Sequence, residues 1–172
     1  MKNLLELDAR LSERLRVAEK PGLRRIVAAL LAHSGDSWFW LLGLALVWGF
    51  GSPYWRARAL AFGVGIAVTA AIVMTIKFTV RRRRPEGEWG SIYRRTDPHS
   101  FPSGHAARAA MLSVMGFGLC PLWLGMVLLA WALGVMLARV AMGVHYLSDV
   151  VAGGLLGSVI GYLFLLLTGA WV

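Results

Sequence analysis

The chain has little of what a water-soluble domain is built from. Of its 172 residues only 16% are charged, against 58% hydrophobic, and the mean hydropathy is +0.62. That balance excludes an ordinary soluble globule and matches a polytopic membrane protein. Acids are scarce, nine Asp and Glu against eighteen Lys and Arg, for a net charge of +9. Spread over one surface, such an excess would suit a nucleic-acid binder. Here the basic residues crowd into a few segments, and after Arg108 only Arg139 remains. Charge placed in this way carries membrane topology, so nucleic acid is discounted as a partner. Cysteine occurs once, at Cys120, which excludes an intrachain disulfide. The first twenty residues alternate charge with leucine and lack a continuous apolar core, so no cleavable signal peptide is expected.

What is present is a succession of long apolar runs behind a polar start. In 4–18 the residues Leu4, Leu7, Leu11, Leu15 and Ala18 recur at steps of three and four, with Arg10, Glu13 and Arg14 between them. This is the pattern of an amphipathic helix lying on a bilayer surface. Pro21-Gly22 breaks it, and Leu23, Ile26, Val27, Leu30 and Leu31 begin a second short amphipathic piece carrying Arg24 and Arg25. Residues 1–35 are therefore read as interfacial helices, and 36–172 as one transmembrane domain.

Ser34-Gly35-Asp36 reads as a turn with a helix N-cap, and 37–55 then holds no charge over nineteen residues, enough to cross a hydrocarbon core of roughly 30 Å. Trp38, Trp40, Trp48, Tyr54 and Trp55 lie towards the ends of this first span, as interfacial aromatics do. Arg56 and Arg58 close a short turn, and further spans are expected at 59–76, 102–119, 122–138 and 147–168. The fold class is all-α: a polytopic membrane bundle of five transmembrane helices preceded by interfacial ones. Gly153, Gly157 and Gly161 repeat every four residues, leaving one face of the fifth span bare for close contact, within the bundle or at a homo-oligomer seam. Residues 81–101 form a long polar loop, of the kind that usually carries function.

Phe-Pro-Ser-Gly-His at 101–105 stands at the mouth of the third span. With Pro102 at the first helical position, the N–H groups of Ser103, Gly104 and His105 fall in a first turn without acceptors, an end suited to an anion. Gly104 lets a phosphate approach, Ser103 adds a hydroxyl, and His105 can give or take a proton near neutral pH. Five crossings bring four helix ends to one face, and these ends carry Lys77, Arg84, Ser103, His105, Arg139, His145 and Asp149. A charge at membrane mid-depth costs ~2.5–3.5 kcal/mol and is seldom kept without a role. Arg81, Arg82 and Arg83 are read as a positive-inside anchor; Arg139, flanked by apolar residues, is not. His145 and Asp149 stand four apart and share a helix face, so the carboxylate can bind one imidazole nitrogen and leave the other outward as a nucleophile. A metal site is the competing reading. Three fixed cations nearby repel a metal ion and attract an anion, so no metal or cofactor is expected.

Lys77-x6-Arg84-Pro85, Pro102-Ser103-Gly104-His105 and Arg139-x5-His145-x3-Asp149 resemble, in order and spacing, the three signature motifs of the type 2 phosphatidic acid phosphatase superfamily, whose site is shared with vanadium haloperoxidases. The resemblance covers 77–150, and hydropathy favours the membrane branch. It departs in two places: Ala138 stands where the third motif usually has serine, and the family core usually has six spans. The resemblance implies metal-independent hydrolysis of a phosphomonoester or diphosphate through a phosphohistidine. His145 would attack phosphorus, Asp149 would orient it, and His105 would protonate the leaving oxygen and later activate water. Lys77, Arg84, Arg139, Ser103 and the Gly104 amide would hold the phosphoryl oxygens.

The expected partners are membrane lipids and a lipid phosphate: a phospholipid phosphate, a polyprenyl phosphate or diphosphate, or a polyprenyl sugar phosphate. Two other classes compete. A non-catalytic protein binding anionic lipid through its basic face would need the arginines but not His105, His145 and Asp149 together. A transporter or channel would carry polar residues within its spans, and few are there. Seven Lys and Arg precede Asp36 while Arg56 and Arg58 follow the first span, so the site is expected on the cytoplasmic face of the cell membrane.

Overall fold

The computed structural model describes residues 2–89 and 97–169, so part of the 81–101 loop lies outside the described residues. The described chain is all-helical: α1 (Lys2–Arg14), α2 (Leu23–Ser34), α3 (Ser37–Phe50), α4 (Pro53–Val80), α5 (Gly104–Leu119), α6 (Leu122–Ala141) and α7 (Leu147–Thr168). Among the described residues three helices, α4, α6 and α7, are long and apolar enough to cross a membrane. A fourth crossing arises if α2 and α3, bent by 54° at their junction, form one broken span.

The bundle is organised around α5, which packs on α7, α6 and α4. Its sequence explains that position: Ala106, Ala107, Ala109 and Ala110 keep the helix thin, and with Met111, Leu112 and Met115 they are buried. α7 meets it with the glycine face. A Cβ on Gly157 would lie 2.6 Å from the carbonyl carbon of Ala107, and one on Gly161 would lie 3.0 Å from the Met111 carbonyl oxygen. The bare face offered by the sequence is thus filled by α5.

Three boundaries differ from the expected ones. The first apolar run stops at Phe50, and Pro53 opens α4, so Arg56 and Arg58 lie within a helix rather than a turn. Proline is well placed there, since a first-turn residue needs no N–H partner. The fourteen residues of α3 reach only about 21 Å at 1.5 Å per residue, too short alone for the expected first span. α2 packs along α6, burying Ala28 and Ala32 against Ala138 and Met142, while Trp40 of α3 meets Trp131 of α6, with ring centroids 4.9 Å apart. Finally, α5 starts at Gly104, not Pro102. Ser103 takes the N-cap because its hydroxyl accepts the Ala106 N–H.

Candidate active site

A cavity of about 740 Å³ opens where the ends of α4, α5, α6 and α7 converge with the α2–α3 junction. Its polar wall comprises Lys77, Arg84, Arg139, His105, His145 and Gly104, and Trp38, Val73 and Met74 line its apolar side. Of the residues singled out from sequence, Ser103 and Asp149 are absent from that wall. Ser103 is fully buried behind it, its hydroxyl on the Ala106 N–H and its own N–H donated to the Asp149 carbonyl at 2.9 Å. Asp149, also fully buried, lies behind His145.

His145 is 1% exposed and held from both sides. Arg84 Nη1 donates to its Nε2 at 3.1 Å, so Nε2 is the acceptor nitrogen and the ring proton belongs on Nδ1. Nδ1 faces Asp149 Oδ2 at 3.7 Å, longer than a hydrogen bond. The expected His145–Asp149 bond is therefore a facing pair in this structure, because the carboxylate is engaged elsewhere. Its Oδ1 accepts from Arg82 Nη1 at 2.7 Å and its Oδ2 from the Tyr146 N–H at 2.9 Å. Burial, then the charges of Arg84, Arg139 and Lys77, hold the His145 imidazole well below the usual histidine range.

The cations are equally fixed. Lys77 Nζ donates to the Asp97 carboxylate and, at 2.9 Å, to the His99 carbonyl. Arg84 forks onto Asp97, Nη2 to the carboxylate at 2.8 Å and Nε to the carbonyl at 2.7 Å. Arg139, 1% exposed, completes the cationic wall. Such a set of convergent donors in a partly desolvated pocket binds a tetrahedral oxyanion and stabilises charge that builds on it.

Four further residues belong to this surround and were not singled out from sequence. Asp36, expected to cap α3, makes no cap bond; its Oδ1 accepts the His105 Nε2–H at 2.7 Å instead. Asp97 bridges Lys77 and Arg84. Arg108 lines the cavity and donates to the Gly35 carbonyl. Arg82, read as part of a membrane anchor, holds Asp149. An acid at a turn and an arginine in a basic run look ordinary in one dimension; only their partners, 66 or more residues away, distinguish them.

A helical membrane bundle that gathers two histidines and four basic side chains around one cavity is built as the integral-membrane phosphatases are. The chain belongs to the PAP2 superfamily, whose family model matches residues 58–172. It is 34% identical over 146 residues to the decaprenylphosphoryl-5-phosphoribose phosphatase of Mycobacterium tuberculosis, covering 84% of this chain and 80% of that one. To the undecaprenyl-diphosphatase of Sulfolobus acidocaldarius it is 32% identical over 139 residues, 77% and 65% of the two chains. In fold it matches the transmembrane PAP2 type phosphatidylglycerolphosphate phosphatase from Bacillus subtilis with a TM-score of 0.78 at 21% identity, over 98% of this chain and 88% of that one.

Proposed function

We propose that the chain hydrolyses the phosphate of a membrane lipid through a phosphohistidine on His145. The observation that carries this reading is the position of His145, its acceptor nitrogen Nε2 towards a wall of Arg84, Arg139 and Lys77 and its Nδ1 towards Asp149. Nε2 attacks phosphorus, the bond from phosphorus to the lipid oxygen breaks, and His105 protonates that oxygen. Water then attacks the phosphohistidine, giving its proton to His105 and releasing inorganic phosphate. Asp36, at 2.7 Å from His105 Nε2, holds that ring in place on the cavity wall. Ser103 and the Gly104 amide act at the head of α5, Gly104 from the cavity wall and Ser103 by setting the first turn. No metal is needed, since the three cations supply the charge a metal ion would.

The cavity supports an amphiphilic substrate, with its polar wall at the helix ends and exposed Trp38 and Met74 on its apolar side. Among lipid phosphates a polyprenyl-linked sugar phosphate comes first, following the relative at 34% identity. The test is phosphate release from that class, from phosphatidylglycerol phosphate and from a polyprenyl diphosphate, in detergent with excess EDTA. Turnover should persist, be blocked by vanadate, and label wild-type protein but not His145→Ala with an acid-labile phosphate. Activity restored only by Mg²⁺ or Zn²⁺, or turnover by His145→Ala, overturns the reading.

We further propose five crossings: α2 with α3, α4, α5, α6 and α7. α1 lies on the membrane surface with Leu5, Leu7, Leu11 and Leu15 exposed, so the core of 36–172 borrows half its first crossing from 1–35. The N-terminal segment then shares a face with the site, and its seven Lys and Arg against Arg56 and Arg58 opposite put the site in the cytoplasm. In a Cys120→Ala background on intact cells, an impermeant thiol reagent should label Ser52→Cys and spare Glu86→Cys; the reverse pattern inverts the orientation.

A further inference from the structure

The family model begins at residue 58, yet the polar side of α1 reaches the back of the candidate catalytic pair. Ser12 Oγ accepts the Leu147 N–H at 2.8 Å and Asp8 Oδ1 accepts the Ser148 N–H at 3.0 Å. These are the first two amides of α7, which have no acceptor inside their own helix. α1 therefore caps α7 from a distance of more than 130 residues in sequence. Asp8 does more than cap. Arg82 Nη2 donates to Asp8 Oδ2 at 2.7 Å, while its Nη1 donates to Asp149 Oδ1 and to Ser148 Oγ, each at 2.7 Å. The guanidinium is thus a fork with one prong on α1 and the other on the carboxylate behind His145, and it stacks over the Tyr146 ring at 4.0 Å. A rigid planar fork fixes both carboxylates in a way a lysine cannot.

The contact is continued along the segment after α1. The Ala18 N–H donates to the Ala141 carbonyl at 3.0 Å, and Arg25 forks onto Glu88 at 2.8 and 2.9 Å. The N-terminal segment thereby clasps the ends of the segments that carry Arg84, Arg139 and Asp149. Within that clasp the bonds from Ser148 and Arg82 outweigh the opposing effect of burial and keep Asp8 below the ordinary carboxylate range, charged near neutral pH.

We propose that Asp8 and Arg82 are positioning residues: Asp8, from α1, anchors the Arg82 fork, and the fork sets the Asp149 carboxylate that orients His145. The proposal rests on the reading of His145 as nucleophile. Without the anchor, Arg82 keeps its charge but not its direction, and Asp149 loses the fixed partner on Oδ1. Its angle to Nδ1 of His145 then varies, and in-line attack is sensitive to misplacement on the 1 Å scale. α1 thereby couples a surface helix to the rate of the reaction rather than to substrate binding.

Four variants test this: Asp8→Asn, Arg82→Gln, Arg82→Lys and Ser12→Ala. Asp8→Asn and Arg82→Gln should each lower kcat by about tenfold or more with KM within about twofold. The double variant Asp8→Asn/Arg82→Gln should lose no more than the worse single one, because both cut one chain. Arg82→Lys should recover part of what Arg82→Gln loses. Ser12→Ala removes a cap but not the fork, and should keep kcat within about twofold. The ¹⁵N imidazole resonances of His145, assigned against His145→Ala, should move in Asp8→Asn and Arg82→Gln, a readout independent of turnover. Unchanged kcat and unchanged resonances in both single variants overturn the proposal, as does a loss confined to KM or one that follows the melting temperature across all four. If wild-type protein releases phosphate from no lipid, the reading of the site fails, and the His145 resonances still decide whether Asp8 and Arg82 set the ring.

Discussion

Substituting alanine along the glycine face of α7 should damage the enzyme in an order set by how closely α5 approaches. At Gly157 the added Cβ would stand 2.6 Å from the carbonyl carbon and 2.8 Å from the Cα of Ala107. Optimal carbon contacts lie at about 3.5–4.0 Å, so the helices must part by about 1 Å, and what blocks the way is backbone. Overpacking costs about 1–3 kcal/mol, and a clash with main chain belongs at the upper end, offset by about 1 kcal/mol from alanine's helix propensity. At Gly153 the obstruction is the Ser103 carbonyl, with the Ala106 Cβ at 3.2 Å; at Gly161 it is the Met111 carbonyl oxygen at 3.0 Å and the Val114 Cβ at 3.1 Å. Stability should fall in the order Gly157→Ala, Gly153→Ala, Gly161→Ala. Activity should not follow that order. Gly153 sits against the residue that caps α5 and donates to the Asp149 carbonyl, so a shift there separates His105 from His145. A displacement on the 1 Å scale is worth on the order of 10²-fold in kcat. The assay is kcat beside a thermal melt in the same detergent. Wild-type melting and turnover for Gly157→Ala, or a larger stability loss for Gly161→Ala, would refute the packing argument.

Three further outcomes follow from the site. His105→Ala should lower the rate by about 10²–10⁴ and Asp36→Asn by less, both losses shrinking with a leaving group of low pKa; equal loss with good and poor leaving groups removes the acid role. Asp97→Asn should tighten vanadate inhibition, since the carboxylate on Lys77 and Arg84 occupies donors an oxyanion would use; weaker inhibition would show that Asp97 is needed to hold the cations in place. His145 should titrate below the ordinary value of 6.5, because burial and the surrounding cations disfavour its charged form. Above 6.5 folded and unfolded chains are alike at this group; below it the unfolded chain takes the proton first, so stability falls as the pH drops from 6.5 towards the lowered pKa. An NMR titration of His145 at or above 6.5 contradicts this.

The helices of the core were legible because hydropathy is local. Ala59, Leu122 and Leu147 each fall inside a helix where an apolar run was read, and the Gly153, Gly157 and Gly161 repeat pointed to the close approach that α5 fills. The packing of α2 on α6 was not legible. Arg24 and Arg25 gave residues 23–31 the look of a surface helix, but α2 has a neighbour: Ala28 and Ala32 pack on α6, and Arg25 turns back to Glu88. A periodicity argument sees one helix at a time and cannot tell a face meeting lipid from one meeting another helix.

The same limit explains which parts of the site were readable. Lys77, Arg84, Gly104, His105, Arg139 and His145 could be gathered because alternation of direction alone places alternate helix ends on one face. What alternation cannot supply is the pairing of one side chain with another. Ser103 was assigned a hydroxyl for phosphate, but an N-cap needs that oxygen, and the Ala106 amide takes it. Asp36 was assigned the cap of α3, but an imidazole 69 residues away is the better donor. Arg82 was assigned to the membrane surface, and its fork found two buried or half-buried carboxylates. Asp36 and Arg82 each exchange a local role for a distant ionisable partner, because in a partly desolvated site a charge-assisted hydrogen bond is about twice as strong as a neutral one. Asp149 stood out by its four-residue spacing from His145, whereas Asp8, Asp36 and Asp97 find their partners across the fold and have a local pattern that looks ordinary.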